Sequence, residues 1–321
     1  MNIGIVNIGM VRLLFAFALI ALLPLGVQAQ TVWLSTTATQ IDKDVKDAYV
    51  TIDASASGEA FVARSSVPLE GLTVVDPDGN PVAIENKLVG KTRSSADLKL
   101  SKPGTYKIGI QMQSVSVSYR LPPGSPNAAA APARGAEGGG ASAGPPAGGM
   151  GGGAGMVRKQ LTTEEFKSFK LPDDATQVRI TKNLRRAETF VTYDRPTTGV
   201  FKATGAGLEL IPITHPNDIL PEQKASFRVL LNGKPLPNFT FTAVPAGQLY
   251  RGVVKEIRVT TDDQGVATLT LPEGGRYWLA ASYPTRAAPA QPGTAPAAPD
   301  PNPAPVYVDA YTYGASLEVL Y

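Results

Sequence analysis

The chain carries one short pattern twice. Residues 96–110 read ADLKLSKPGTYKIGI, and residues 267–281 read ATLTLPEGGRYWLAA. In each copy a run of alternating apolar residues leads to a glycine-containing turn and a second alternating run, which includes Tyr106 or Tyr277. Alternation with a period of two is typical of half-buried strands. The repeat therefore predicts two similar strand–turn–strand units, with the two tyrosines buried at equivalent positions.

The sequence around both copies favours the same fold class. Short runs rich in Val, Ile, Thr and Tyr are separated by turns such as Asp76-Pro77-Asp78-Gly79 and Asn232-Gly233. This spacing is typical of a β-sandwich. We expect an all-β fold of two tandem immunoglobulin-like or transthyretin-like β-sandwich modules, joined by a disordered Gly/Ala/Pro linker.

Composition divides the chain into five segments. Two Gly/Ala/Pro-rich stretches have too little apolar bulk to offset their chain entropy. Thr162, followed three residues later by Glu165, predicts the capping box of a short helix. The predicted segments are a signal peptide (1–29), an N-terminal β-sandwich (30–120), a disordered linker (121–155), a bridging segment with a short helix and strands that closes one sandwich (156–205), and a C-terminal β-sandwich with a flexible Pro/Ala insertion at 284–305 (206–321).

The N-terminus predicts secretion. Arg12 precedes an apolar run over residues 13–27, and Val27-Gln28-Ala29 is a suitable cleavage site. The run is shorter than the roughly 20 residues that span a bilayer. The chain has no cysteine, which excludes disulfides, thiol chemistry and a cysteine-linked lipid anchor. We expect a secreted periplasmic protein that is not inserted in the membrane after signal cleavage.

Charge limits the classes of partner. The formal net charge is +3, and no basic run is longer than Arg185-Arg186. Nucleic-acid binding requires a dense basic surface, and polybasic attachment to a membrane requires a basic cluster. Neither is present in the sequence. We expect no nucleic-acid partner, and we expect an envelope protein or transporter component instead.

The single histidine, His215, is followed by Pro216, Asn217 and Asp218. Imidazole and carboxylate groups are metal ligands, so His215 and Asp218 are candidate ligands and Asn217 could add an oxygen. The alternative is a structural turn, because Asn and Asp favour turns and Pro216 restricts His215 to an extended backbone. One histidine without cysteines leaves a transition-metal site short of ligands, which favours the turn. We expect no cofactor unless a divalent metal binds here.

Two tryptophans complete the candidate ligand-binding set of His215, Asn217, Asp218, Trp278 and Trp33. Neighbouring residues in a strand point to opposite faces. Trp278 therefore lies opposite the core face defined by Tyr277, at the position that Lys107 has in the first copy. An aromatic residue there covers either a ligand groove or a contact between modules, and we favour the contact.

Catalysis is not expected. A triad needs a histidine beside a nucleophile and an orienting acid, and no strand–GxSxG–helix context exists. The acidic turn Asp262-Asp263-Gln264-Gly265 lacks the spacing and the closing glutamate of a calcium loop. The glycine runs are not followed by the Lys-Ser/Thr of a phosphate-binding loop. The sequence predicts a protein that is not an enzyme.

A set of short motifs in the mature chain carries a family resemblance. The motifs are Glu209 to Asp218, Phe227 to Pro235, Thr260 to Gly265, Gly275 to Leu279, Trp33-Leu34, Pro103 to Tyr106 and Glu188 to Thr192. Through them the chain resembles the bacterial secreted family known as domain of unknown function 4198, described in some members as related to nickel or cobalt uptake. The resemblance implies periplasmic β-sandwiches without established catalysis. It also implies a histidine shortly before the Trp-Leu pair, where this chain has Gln30 or Thr31.

Two functional hypotheses follow. The first is a non-catalytic periplasmic binding or adaptor protein that handles a small solute or divalent metal for an envelope transport system. The second is a structural or protein-interaction module of the cell envelope without a small-molecule ligand. The first expects polar groups to converge with His215 and Asp218 in one concavity. The second expects a buried or hydrogen-bonded His215 and an exposed apolar strip.

Overall fold

The computed structural model describes residues 31–127, 155–247, 250, 256–284 and 304–320. The predicted signal peptide lies outside this part of the chain. Strands form nearly all of the regular structure, which confirms the all-β prediction. The α-helix α1 spans Thr163–Ser168, and its predicted capping box between Thr162 and Glu165 is confirmed. The strands are β1 (Thr31–Thr36), β2 (Gln40–Ile41), β3 (Tyr49–Ser57), β4 (Ser65–Ser66), β5 (Leu72–Val75), β6 (Glu85–Val89), β7 (Ser94–Lys99), β8 (Gly104–Arg120), β9 (Met156–Leu161), β10 (Thr176–Tyr193), β11 (Leu208–Pro212), β12 (Lys224–Leu231), β13 (Lys234–Pro235), β14 (Thr240–Pro245), β15 (Ile257–Thr260), β16 (Val266–Thr270), β17 (Gly275–Tyr283) and β18 (Val306–Val319).

The described strands form three sheets. A first sheet has the order β1-β3-β7-β6, a shared sheet has the order β15-β14-β17-β18-β10-β8-β5, and a third sheet has the order β11-β12-β13. Four further strands lie off these paths: β4 pairs with β3, β2 with β10, β9 with β8 and β16 with β12. On β10, Val191 belongs to the core beneath the first sheet, whereas its neighbour Phe190 belongs to the core beneath the third. The two outer sheets therefore pack on opposite faces of the shared sheet.

The two sandwiches are not separate tandem modules, which corrects that part of the sequence-based prediction. Strand β10 of the first sandwich pairs in parallel with β18 of the second, from Arg179↔Val306 to Thr189↔Ser316. Strands left unpaired at a sheet edge expose backbone hydrogen-bonding groups, and this pairing satisfies them. The segment predicted as a bridge thus supplies β10, which lies in the middle of the sheet common to both sandwiches.

The repeated pattern is an arch that crosses between two sheets. In the first copy β7 lies in the first sheet and β8 in the shared sheet; in the second, β16 lies beside β12 of the third sheet and β17 in the shared sheet. Tyr106 and Tyr277 are 0% and 2% exposed. Each phenol donates to the backbone carbonyl four residues earlier, that of Lys102 or Glu273, at 3.0 Å. The prediction of equivalent buried tyrosines is confirmed.

Each low-complexity segment connects two strands that pair with each other in antiparallel orientation. The Leu121 amide donates to the Gly155 carbonyl at 2.8 Å, directly beyond the paired ends of β8 and β9. The segment predicted as a linker therefore leaves and re-enters one hairpin and does not connect two modules. Residues 284–305 connect β17 to its antiparallel neighbour β18, so their placement between two strands is confirmed. The predicted disorder of both segments concerns residues that lie outside the described part of the chain, apart from their ends.

Trp278 marks the contact between the sandwiches, as expected. It is carried by β17 of the second sandwich, yet it is 3% exposed within the core beneath the first sheet. Its ring lies against Gly314 of β18, where an added Cβ atom would come within 1.8 Å of the ring. The indole of Trp278 therefore fits at this position because residue 314 is glycine.

We predict that Gly314→Ala lowers the free energy of unfolding by about 1–3 kcal/mol or more, because the methyl group overpacks the Trp278 ring. Gly109→Ala is the matched control, since it also lies in a strand of the shared sheet and its Cβ atom would be 3.7 Å from its nearest neighbour. Urea denaturation of both variants measures the difference. Equal stability of the two variants would contradict this packing.

Candidate functional site

His215 lies in a hydrogen-bonded ring that joins the two sandwiches. The residue is 7% exposed and precedes a 3-10 turn over Pro216–Asp218. Its Nε2 atom is 2.9 Å from Thr105 Oγ1, at the start of β8. Thr105 Oγ1 lies 3.0 Å from Thr192 Oγ1, at the end of β10, which donates to Asn217 Oδ1 at 2.6 Å. The Asn217 amide donates to His215 Nδ1 at 3.1 Å and closes the ring.

Only one assignment of hydrogen-bond donors and acceptors is consistent around this ring. Nδ1 accepts from an amide, so the neutral imidazole carries its proton on Nε2 and donates to Thr105. Thr105 then donates to Thr192, which donates to the amide oxygen of Asn217. If the imidazole were also protonated on Nδ1, that N–H group would face the backbone N–H group of Asn217 and the hydrogen bond between them would be lost. Burial lowers the pKa of His215 below its ordinary 6.5, although the charge of Asp218 and the backbone of Thr197 act in the opposite direction.

This geometry shows where the predicted metal ligands lie. Both imidazole nitrogens already have partners, and the side chain of Asp218 is exposed. Coordination of a metal by His215 would require one bond of the ring to break. Among the residues that the structure describes, no group of three or more His, Asp or Glu side chains is arranged to hold a metal ion. A metal role for His215 and Asp218 stays a prediction.

The two tryptophans are brought together elsewhere, beneath the first sheet. Trp33 and Trp278 each pack against Phe61, with ring centroids 5.8 and 6.4 Å apart. Trp33 Nε1 donates to Ser57 Oγ at 3.1 Å. Both indoles are 3% exposed. The candidate set from the sequence therefore divides into a polar ring at His215 and an aromatic core cluster.

A cavity of about 200 Å³ does open on the face of the shared sheet that bears the third sheet. Beside it Arg186 and Glu209 form a buried ion pair, with Nη1 and Oε1 2.9 Å apart and side chains 8% and 2% exposed. Arg186 also donates to Gln111 Oε1 and to the Ala206 carbonyl. Glu209 accepts from the amides of Thr204 and Gly205. Both terminal nitrogens of Arg186 and both carboxylate oxygens of Glu209 thus have partners within the protein, and the pair fixes one wall.

The second charged pair beside the cavity is more open. Lys107 Nζ of β8 lies 4.0 Å from Glu188 Oε1 of β10, and the two side chains are 18% and 9% exposed. Tyr313 of β18 donates to the other oxygen, Glu188 Oε2, at 2.7 Å. Burial and the neighbouring Glu188 carboxylate raise the pKa of Tyr313 well above its ordinary value. The phenol therefore remains a donor at neutral pH.

Sequence reasoning missed this cluster because its members come from separate strands. Lys107 was recognised only as the counterpart of Trp278, and Arg186 only as part of a short basic run. The available signal was the alternation within residues 186–190 (RAETF), which places Arg186 and Glu188 on one face of a strand whose flanking residues are buried. The register that joins this face to Lys107 and Tyr313 could not be read from one sequence.

A second, more apolar cavity of about 410 Å³ opens further along the same strands. Its apolar lining includes Val115 of β8, Leu184 of β10, Tyr311 of β18 and Phe166 of α1. Its charged lining residues are Lys167, Lys182 and Asp309. Lys167 is already paired with Glu164.

Comparison with known proteins places the chain in a family. The model of a family described as Domain of unknown function (DUF4198) matches residues 27–285. The chain belongs to this family. No curated protein matches this DUF4198 member.

Among solved structures, the chain is similar to one described as "Crystal structure of tetra-tandem repeat in extending region of large adhesion protein". The identity is 12% and the TM-score 0.20, over 91% of this chain and 50% of that one. The chain thus spans half the length of that structure, and at this TM-score the similarity supports no conclusion about fold or function. Within the described residues, no helix has both the length and the apolar character needed to cross a membrane.

We predict that the stability of the protein falls as pH decreases through about 6.5. The folded-state pKa of His215 lies below the unfolded-state value, so the unfolded chain binds more protons in this range and is favoured by acid. Stability from this group is complete above the unfolded pKa and is lost below it. Because His215 is the only histidine, His215→Gln should remove this pH dependence and cost about 1–3 kcal/mol at pH 8.

Denaturant midpoints of wild type and variant between pH 5 and 8 provide the measurement. An unchanged slope in His215→Gln would contradict the ring. So would a stoichiometric divalent metal that binds the wild type and is released by the substitution.

Proposed function

We propose that this DUF4198 member is a non-catalytic periplasmic binding protein that holds a small solute in the cavity beside Lys107, in the service of an envelope transport system. The signal-like N-terminus supports the compartment. The absence of a nucleophile–base arrangement in the sequence supports binding without catalysis.

The open Lys107–Glu188 pair is the observation that carries the proposal. An ammonium group has three donors, and the single carboxylate contact of Lys107 is too long for a hydrogen bond. The Lys107 side chain is 18% exposed, so its ammonium group is partly buried and can still be reached from the cavity. A bound solute would supply acceptors to this group. Small-molecule sites characteristically combine apolar walls with a few convergent polar groups, and here Val75 and Ile110 lie beside Thr73 and Thr204.

Walls from both sandwiches surround this site. Lys107 and Gly109 belong to β8, Thr73 to β5, and Thr204 to the segment that leads into the third sheet. A solute seated there contacts both halves of the protein. This placement supports an adaptor role, because occupancy of the cavity bears on how firmly the two halves are held together.

A second candidate function is an interaction module of the envelope, and one observation favours it. Strand β6 is an edge of the first sheet, and Leu88 and Val89 on it are 65% and 60% exposed. An open edge strand can pair with an extended segment of another protein, and exposed apolar side chains add to such pairing. The buried, hydrogen-bonded His215 is also what this hypothesis expects.

For the binding function, we predict that Gly109→Leu abolishes solute binding. Its added side chain would project between Glu188 and Thr73 and fill the cavity. In a thermal-shift panel of glucose, glycine, acetate, phosphate and methylammonium, at least one solute should stabilise the wild type. The gain should be about 2.7 kcal/mol at a concentration 100 times its Kd. Gly109→Ala, which adds one methyl group, should retain the response. A response that survives Gly109→Leu would place the solute elsewhere.

For the second candidate, we predict that the double substitution Leu88→Lys and Val89→Lys removes a partner protein captured by cross-linking in the periplasm. Lysines on an edge strand disfavour strand pairing. Lys87→Ala on the same strand is the control and should leave capture intact. Capture that is unaffected by the double substitution would exclude β6 as the contact.

A further inference from the structure

The charges around the Lys107 cavity sum to zero. Arg186 and Glu209 are joined at 2.9 Å, and the terminal nitrogens of Arg186 and the carboxylate oxygens of Glu209 make further hydrogen bonds within the protein. They fix the wall and offer the cavity no free charge. Lys107 and Glu188 are the two remaining charged residues among those that line the cavity, and they have opposite signs. A bound anion or cation would therefore meet no net opposite charge.

The spacing of Lys107 and Glu188 defines what can bind between them. Their facing atoms, Nζ and Oε1, are 4.0 Å apart. Hydrogen bonds to charged groups are about 2.7–2.9 Å long, so the two atoms cannot bond each other directly. One oxygen placed about 2.8 Å from both could accept from the ammonium and donate to the carboxylate. The pair presents an acceptor and a donor that a single bound group can join.

The protein itself leaves these two atoms open. Glu188 Oε2 accepts from Tyr313, whose hydroxyl also donates towards the Leu210 carbonyl at 3.2 Å. This holds the carboxylate so that Oε1 is directed to Lys107. The hydroxyls of the neighbouring Thr73 and Thr204 already donate to the Gly109 carbonyl and to Glu209 Oε1. Lys107 Nζ and Glu188 Oε1 are therefore the polar groups left for a ligand, and together they match a neutral group that both accepts and donates.

From this geometry we propose that the cavity selects a small solute of zero net charge that presents a donor and an acceptor on the same or adjacent atoms. This inference rests on the proposed binding function. A hydroxyl of a polyol meets the requirement with one atom, and an α-amino acid meets it with its ammonium and carboxylate groups. A simple carboxylate satisfies Lys107 and leaves Glu188 without a donor. A simple ammonium ion does the reverse. Each simple ion would leave one partly buried charge without a hydrogen-bonding partner, which is the basis of rejection.

The test is calorimetric titration of the full chain with five probes: glycerol, ribose, glycine, acetate and methylammonium. In the wild type, a polyol or glycine should bind at least about tenfold more tightly than acetate and methylammonium, since each of these ions loses one hydrogen bond to a charged group. Whether glycerol and ribose or glycine bind identifies the source of the neutral group.

Two isosteric variants make the selectivity reverse. Glu188→Gln keeps an acceptor for Tyr313 but leaves Lys107 as an unbalanced positive charge, so acetate should become the preferred probe. Lys107→Met leaves Glu188 unbalanced, so methylammonium should become preferred. Glu70→Gln, at an exposed position away from the cavity, is the matched control and should bind as the wild type does.

The outcomes separate the two proposals. If acetate or methylammonium binds the wild type most tightly and Gly109→Leu abolishes that binding, the cavity is a binding site and the neutral-solute inference is overturned. If Glu188→Gln and Lys107→Met leave the order of the probes unchanged, the inference is likewise overturned. If none of the five probes binds the wild type, the inference fails, and if no solute of the thermal-shift panel binds either, the binding function fails with it.

Discussion

The parallel pairing of β10 with β18 is the interaction on which the rest of the structure depends. Each is the neighbour of the second strand of the repeat, β8 or β17. Two equivalent strands that pair in parallel are related by a twofold rotation along the strand direction, and that rotation exchanges the faces of a sheet. The outer sheets therefore pack on opposite faces. Antiparallel pairing of the same strands would have placed both on one face.

Because of this arrangement, the contacts between the sandwiches differ on the two faces of the shared sheet. On one face, the Trp278 indole passes beneath the first sheet and is accommodated by Gly314. On the other, the equivalent position is Lys107, whose ammonium group faces Glu188 across a cavity. The aromatic side gains stability from buried apolar area. The charged side contributes less stability, because an ion pair compensates for its desolvation only when it is fully hydrogen-bonded. The Lys107–Glu188 pair, at 4.0 Å, thus contributes less to the contact between the sandwiches than the Trp278 side does.

Local patterns in the sequence were sufficient for the repeat and for the capping box. Tyr106 and Tyr277 could be placed because alternation and turn chemistry are properties of neighbouring residues. Trp278 could be assigned to a contact because it lies one residue from a core tyrosine. The shared sheet could not be foreseen, since the pairing of Arg179 with Val306 joins residues far apart in sequence. The arrangement of Lys107, Glu188 and Tyr313 depends on that same register, so the candidate site could not be predicted from the sequence either.

The directions of the strands also decide where chain insertions emerge. Strand β8 ends where β10 begins, and β17 runs out beside the first half of β18. Because β10 and β18 are parallel, both low-complexity segments leave the shared sheet at the same pole, while His215 and its threonine partners lie at the other. Fluorophores attached at residues 121 and 284, where the two segments begin, would lie on the half of the shared sheet that is remote from His215. The histidine pole would remain unlabelled and free for immobilisation, so the geometry provides a ready-made layout for a biosensor.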